Sequence, residues 1–156
     1  MLTSEYYPIK EPSLDRQAAI ERLLDHYQNP RNQGPLDPVD VVLLGGQPDC
    51  GDLVTIYLRV SPDRARIESV TFEGQGCTVR QAAASILTEH VPGWPLVEFE
   101  EYDQQAMIDL LGREVVGTRP RCAILAFNTL KAAIVKYRRK WPEEMTFLNA
   151  VDNGND

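Results

Sequence analysis

From Val54 through Ile56, Leu58 and Val60, apolar side chains fall on every second residue, with Thr55, Tyr57 and Arg59 between them. Period two predicts a half-buried β-strand. Ser61-Pro62-Asp63 then predicts a turn, and Ile67 to Phe72 a further strand whose alternation changes phase near Ser69, which marks a β-bulge. A connection this short makes the two strands antiparallel. Upstream, Val39 to Leu44 is short and rich in branched apolar residues, and predicts a strand that ends in a flexible loop at Gly45-Gly46.

Elsewhere the period is helical. Ser13 is the expected N-cap of a first helix in which Leu14, Ala18, Leu24 and Tyr27 recur near helical spacing and which Pro30 ends. The turn formers Asn29 to Pro35 follow it. From Cys77 a second helix carries the stripe Val79, Ala82, Ala83, Ile86 and Leu87 and stops at Pro92-Gly93. Pro95 starts a short helix, and Asp103 caps another with Met107, Leu110 and Leu111 apolar, closed by Gly112. Arg119-Pro120-Arg121-Cys122 opens the last long helix, whose stripe is Ala123, Ala126, Phe127, Leu130, Ala133, Ile134 and Tyr137. The tail from Asn149 is polar and expected to fray. Consecutive strands between one helix and several later ones predict an α+β class with a three-stranded, mainly antiparallel sheet.

Composition narrows what such a fold would do. With 156 residues, 43% of them hydrophobic, the chain supports one domain with its own core and is too short for two. A net charge of -7 argues against general binding of nucleic acid or anionic membrane, since phosphates need a basic surface. Met1 to Glu11 has no apolar targeting segment, and no stretch approaches the length of a membrane span, so a cytoplasmic chain is expected. In a reducing compartment the odd count of three cysteines points to metal binding or reactivity rather than disulfides.

Each cysteine sits at an element junction. Cys50 lies in Pro48-Asp49-Cys50-Gly51-Asp52, just before the alternating strand, where a glycine between a thiol and a carboxylate lets both bear on one point. Cys77 follows Gly74-Gln75-Gly76 at a helix start, where backbone N–H groups and the helix dipole favour thiolate over thiol, and Cys122 falls in the first turn of the last helix. A buried cysteine is common simply as a small apolar residue. Three at three junctions, with these flanking residues, is a pattern that packing alone does not require. Their spacings, 27 and 45 residues, match no local zinc-finger or ferredoxin motif.

Taken in order, Asp25-His26-Tyr27-Gln28-Asn29-Pro30-Arg31-Asn32, Cys50-Gly51-Asp52, Gly74-Gln75-Gly76-Cys77, Ala82-Ala83-Ala84-Ser85 with Thr88-Glu89, and Arg121-Cys122-Ala123-Ile124-Leu125 resemble the iron-sulfur cluster assembly scaffold family of IscU, SufU and NifU N-terminal type. The likeness runs from about Leu23 to Lys140. It implies a small antiparallel sheet covered by helices on one face, with the three cysteines converging at one end. It further implies that Cys50, Cys77 and Cys122 bind a transient [2Fe-2S] cluster or a zinc ion, with Asp52 as a labile fourth ligand. The implied partners are a cysteine desulfurase that delivers persulfide sulfur, an iron donor, and apo-proteins that receive the cluster; any of the three thiols is a candidate sulfur acceptor. The chemistry is coherent, because soft thiolates suit the cluster while a carboxylate leaves it easier to give away.

The chain also departs from the pattern. Where IscU-type scaffolds carry His before the third cysteine, this chain has Arg121, as SufU-type members carry a basic residue, yet the segment from Cys77 to Cys122 has the short IscU-like length. The Leu-Pro-Pro-Val-Lys chaperone-docking motif is replaced by Val116-Gly117-Thr118-Arg119-Pro120, which puts chaperone docking in question. Two alternatives to the scaffold follow: a zinc-dependent sulfurtransferase of SufU type that accepts persulfide and activates a desulfurase, and a structural zinc domain without sulfur chemistry. A scaffold is the expectation over a turnover enzyme. Arg121 is placed to lower the pKa of Cys122, against the plain reading of a solvent-facing arginine. His26 and His90 read as capping or packing residues rather than ligands. The basic run Lys136 to Lys140 reads as the usual complement to a helix C-terminus.

Overall fold

The alternating run becomes the middle strand of the sheet. In the computed structural model, which describes residues 15–47, 52–75, 77–117 and 120–140, strand β2 (Asp52–Val60) pairs on one side with β1 (Val41–Gln47) and on the other with β3 (Ile67–Gln75), both antiparallel. Val54, Ile56, Leu58 and Val60 are all buried, while Thr55, Tyr57 and Arg59 lie half-buried on the opposite face. The register stacks Val41, Leu58 and Val70 in one inner row and Leu43, Ile56 and Phe72 in the next.

The phase change near Ser69 is a real bulge. Pairing steps from Arg59 with Ser69 to Val60 with Ile67, so Glu68 is the extra residue. That insertion turns Ile67, as well as Val70 and Phe72, toward the core.

Strand β1 does not stop at Leu44, as its two glycines suggested, but continues through Gly45 and Gly46 to Gln47. Packing explains this. A Cβ on Gly45 would stand 2.0 Å from Thr129 Oγ1, so the bare backbone is what lets the last helix lie against the strand. Strand β3 likewise runs past Phe72 to Gln75. Gly74 lies so close to its neighbour there that a Cβ would meet the Leu53 carbonyl oxygen at 2.7 Å.

Helices α1 (Arg16–Gln28), α2 (Thr78–His90), α3 (Leu96–Glu101), α4 (Gln105–Leu111), α5 (Arg113–Val116) and α6 (Pro120–Lys140) make up the rest. Helix α6 crosses β1 and β2, α2 packs on β3 and α6, and α1 lies on α2, so one sheet face is covered. Every residue of the stripe expected on α6 is buried, with Thr129 added. Helix α2 is buried continuously from Ala82 to Thr88, because it has neighbours on several sides. Trp94 and Phe99 meet edge to face at 5.3 Å, and Phe99 lies 5.1 Å from Phe127. Such aromatics are among the largest contributors to a core, at about 1.5–3 kcal/mol for each large side chain buried.

Helix α1 corrects the sequence reading. Ser13 and Leu14 lie outside the described residues, and the N-cap is Asp15, whose Oδ1 accepts from Ala18 N at 2.8 Å. The inward face is Ala19, Leu23 and His26, whereas Leu24 and Tyr27 are each 43% exposed. A polar bond into α2 draws His26 inward and sets the helix's rotation. At α4 the N-cap is Gln104, although Asp103 Oδ1 does accept from Gln105 N at 3.1 Å. Helix α5 was not anticipated. The polar tail from Asn149 lies outside the described residues.

Candidate functional site

Three element ends meet at one edge of the sheet. Asp52 opens β2 paired with Gln47, the last residue of β1, and the next residue, Leu53, pairs with Gln75, the last of β3. Two residues beyond Gln75, Cys77 is the N-cap of α2, in extended conformation (φ -78°, ψ 171°), with its carbonyl accepting from Gln81 N at 3.1 Å. The register therefore brings the start of β2 and the start of α2 to the same end. Cys50 lies outside the described residues, in the segment 48–51 that joins the paired Gln47 and Asp52, and Asp52 is described by its backbone alone.

Cys122 arrives from the other direction. It is the third residue of α6 and half-buried, as Cys77 is. What joins the two helix starts is Arg80, in the first turn of α2: its Nη2 donates to Cys122 Sγ at 3.2 Å. Residues three apart on a helix share a face, so the guanidinium leaves α2 on the side of Cys77 and reaches across to α6. Cys77 at an N-cap and Cys122 in a first turn both stand where the positive end of a helix dipole suits anionic sulfur. Arg121 is exposed. Among the described residues no group of three histidines, cysteines or carboxylates converges on a point, a set that excludes Cys50 and the Asp52 side chain.

His26, Ser85 and Glu89 look at first like a hydrolytic triad. His26 Nδ1 lies 2.7 Å from Ser85 Oγ, and His26 Nε2 lies 3.5 Å from a Glu89 carboxylate oxygen. Yet Ser85 is fully buried, and its Oγ already accepts from Arg31 N at 2.9 Å. A nucleophile that no substrate can reach is a structural hydroxyl. Accepting from Arg31 leaves the Ser85 hydroxyl hydrogen for His26 Nδ1, which puts the ring hydrogen on Nε2, toward Glu89. Burial chiefly, and then the Arg31 guanidinium, hold His26 below the ordinary histidine pKa, with Glu89 and Asp25 pulling the other way. Asn32 Nδ2 donates to Thr88 Oγ1 at 3.3 Å, and Arg31 pairs with Asp25 at 2.6 Å. The polar run Asp25 to Asn32 is therefore a latch that docks α1 onto α2. It meets α2 at Ser85, eight residues or roughly 12 Å along the helix from Cys77, and both His26 ring nitrogens face the latch, toward Ser85 and Glu89. His90 Nδ1 donates to the Ile86 carbonyl at 2.9 Å. Of the basic run, Arg138 is committed to Glu100 at 2.7 Å, tying α6 to α3.

Against this geometry stand the comparisons with known proteins. The family model of the NifU-like N-terminal domain matches residues 19–144. The chain belongs to that family. Among its relatives, this NifU-like chain is 38% identical over 120 residues to the iron-sulfur cluster assembly scaffold protein IscU 1 of Archaeoglobus fulgidus, spanning 77% of this chain and 76% of that one. It is 35% identical over 126 residues to IscU of Escherichia coli K12, spanning 79% and 96%. Of solved structures, one described as a cluster assembly scaffold protein for the SUF system of Fervidobacterium islandicum superposes with a TM-score of 0.59 at 25% identity, over 73% of this chain and 94% of that one. A NifU-like N-terminal protein of Brucella abortus gives 0.62 at 20% identity, over 77% and 94%, a likeness of fold. The α+β sheet with helices on one face is thus the fold of the family. No helix among the described residues of this NifU-like chain is long and apolar enough to cross a membrane.

Arg80 was missed from sequence. The available signal was its place three residues after Cys77, on the same face of a helix that begins at a thiol, but an arginine in the first turns of a helix ordinarily points to solvent.

Proposed function

We propose that this chain is a scaffold on which a nascent [2Fe-2S] cluster is assembled from iron and desulfurase-derived persulfide sulfur, then transferred to apo-proteins in the cytoplasm. Cys50, Cys77 and Cys122 supply the thiolates and Asp52 the fourth, weaker donor; one of the thiols accepts the sulfur. The observation that carries the reading is the meeting of the α2 and α6 starts through the bond from Arg80 to Cys122, at the sheet end where β2 opens with Asp52. Family membership and relatives named as IscU scaffolds support it. A site at element ends, with half-buried sulfurs, suits cargo that must arrive and leave.

The test is anaerobic reconstitution with ferrous iron, cysteine and a cysteine desulfurase, on wild type and on Asp52→Ala, followed by visible absorption, iron and sulfide analysis, and transfer to an apo-ferredoxin. A cluster that forms, transfers, and persists longer in Asp52→Ala is the expected result. Absence of any cluster while zinc stays bound at one ion per chain would overturn the scaffold reading.

A second reading has its own support. The exposed Arg121 occupies the position before the third cysteine, and the solved SUF-system scaffold superposes over most of the chain. On this reading the protein holds zinc at the same residues and relays persulfide sulfur without building a cluster. Stimulation of a desulfurase by the zinc-loaded protein, with no transfer of cluster to apo-ferredoxin, is the result that would favour it.

A further inference from the structure

We propose that Arg80 is a positioning residue for Cys122: a fixed donor that stays on the sulfur when it binds metal, weakens the metal–sulfur bond and makes that ligand releasable. The inference rests on the scaffold reading of the site.

The geometry comes first. Arg80 is only 6% exposed, although it lies in the first turn of α2, and its Nη2 is 3.2 Å from Cys122 Sγ. A guanidinium is charged at every accessible pH, and its burial is costly unless its donors are engaged. With so little of its side chain exposed, Arg80 stays beside the sulfur when a metal arrives, whereas an exposed arginine such as Arg121 can swing into water. Arg80 need not leave. A cysteine sulfur has lone pairs enough to bind a metal and accept an N–H at once, and hydrogen bonds to ligating sulfur are among the means by which proteins tune such sites.

Two effects then act in one direction. The donor draws electron density from the sulfur, so less is available to the metal. Its positive charge also opposes an incoming cation. A closed structural site gains nothing from either effect, whereas a site that must hand on its cargo gains from both. Lability would then come from two places: the carboxylate of Asp52 and the hydrogen-bonded sulfur of Cys122.

Cobalt(II) is the probe, added anaerobically to the purified 156-residue chain as wild type, Cys122→Ser, Arg80→Lys, Arg80→Gln and Arg80→Met. The readouts are the sulfur-to-cobalt charge-transfer band, the dissociation constant, and the rate of cobalt release to EDTA. Arg80→Met is expected to bind cobalt more tightly by up to roughly 10-fold, the net worth of one hydrogen bond, to release it correspondingly more slowly, and to move the charge-transfer band to longer wavelength. Arg80→Lys, which keeps the cation, should stay near wild type, and Arg80→Gln, which keeps only a neutral donor, should fall between. A band that does not move in Arg80→Met, with equal or weaker binding, overturns the role of Arg80 and leaves the scaffold reading standing. A Cys122→Ser spectrum identical to wild type removes Cys122 from the ligand set, which overturns the site and this inference together. If circular dichroism shows Arg80→Met unfolded, the Lys and Gln variants decide: equal affinities and identical bands overturn the proposal.

Discussion

Gly45 and Thr129 touch as closely as a strand and a helix can: a Cβ on the glycine would stand 2.0 Å from Thr129 Oγ1 and 3.0 Å from its Cβ. Thr129 cannot easily yield, because its hydroxyl donates to the Leu125 carbonyl at 2.8 Å and it lies within the buried face of α6. Gly45→Ala should therefore destabilise the fold by about 1–3 kcal/mol, the range for overpacking. Urea denaturation checks this, with the midpoint lowered at unchanged m-value. Adding Thr129→Ala removes the oxygen that clashes and should recover part of the loss. Strictly additive single changes would show that the two residues do not press on one another.

Protonation of His26 gives a pH dependence of definite sign. Burial and Arg31 lower its pKa from 6.5 in the folded chain, whereas the unfolded chain titrates near the ordinary value. As pH falls through about 6.5 the unfolded state takes up a proton that the folded state refuses, so stability is lost until the folded pKa is reached. Asp25, held below the usual carboxylate range by its bonds from Arg31 and Asn29, stays ionised across this window and adds nothing to it. The loss of urea stability between about pH 7.5 and about pH 5.5 should be larger in wild type than in His26→Asn. Equal losses in the two proteins would mean that His26 is not held neutral.

The sheet and α6 were legible because their signals are periodic and their faces are simple. Val54 to Val60 alternates without a break, the phase slip at Ser69 announced the bulge, and the seven-residue stripe of α6 is buried throughout. Helix α1 was misjudged because its inward face includes a histidine. Period alone favours Leu24 and Tyr27, and only the partner Ser85, 59 residues away, explains why His26 turns in. Gly45 and Gly46 read as a loop for the same reason, since the close approach that requires one of them is made by a residue of α6. At the candidate site the sequence placed Cys77 and Cys122 at helix starts, and there they are. It did not show Arg80, because a contact between helices 42 residues apart leaves no local pattern.

Ser85 separates the latch from the site. Its Oγ serves both Arg31 N and His26 Nδ1, and Ser85→Ala leaves the half-buried Arg31 N–H without its acceptor and the buried His26 Nδ1 without its donor. A buried polar group left without its partner costs about 1–3 kcal/mol. Thermal unfolding should show that loss, while the cobalt charge-transfer spectrum stays as in wild type, because Ser85 lies two turns beyond Cys77 on α2. A changed spectrum would mean that the latch and the thiols form one unit.

Metal removal distinguishes a scaffold from a domain that metal holds together. Ile56, Leu58, Phe72, Trp94, Phe99 and Phe127 are almost wholly withdrawn from water, and none depends on Cys77 or Cys122, which sit half-buried at the rim. A core of this kind should hold by itself, so metal adds only its binding free energy, RT ln(1 + [L]/Kd), or about 2.7 kcal/mol at a hundredfold excess over Kd. Chelation by EDTA should therefore lower the melting temperature by several degrees and leave the far-ultraviolet circular dichroism and the cooperativity of unfolding intact. In a structural zinc domain, by contrast, binding energy is folding energy, and the chelated protein loses its secondary structure outright. That loss, reversed by adding zinc, would rule out a scaffold that must stand empty between one cargo and the next.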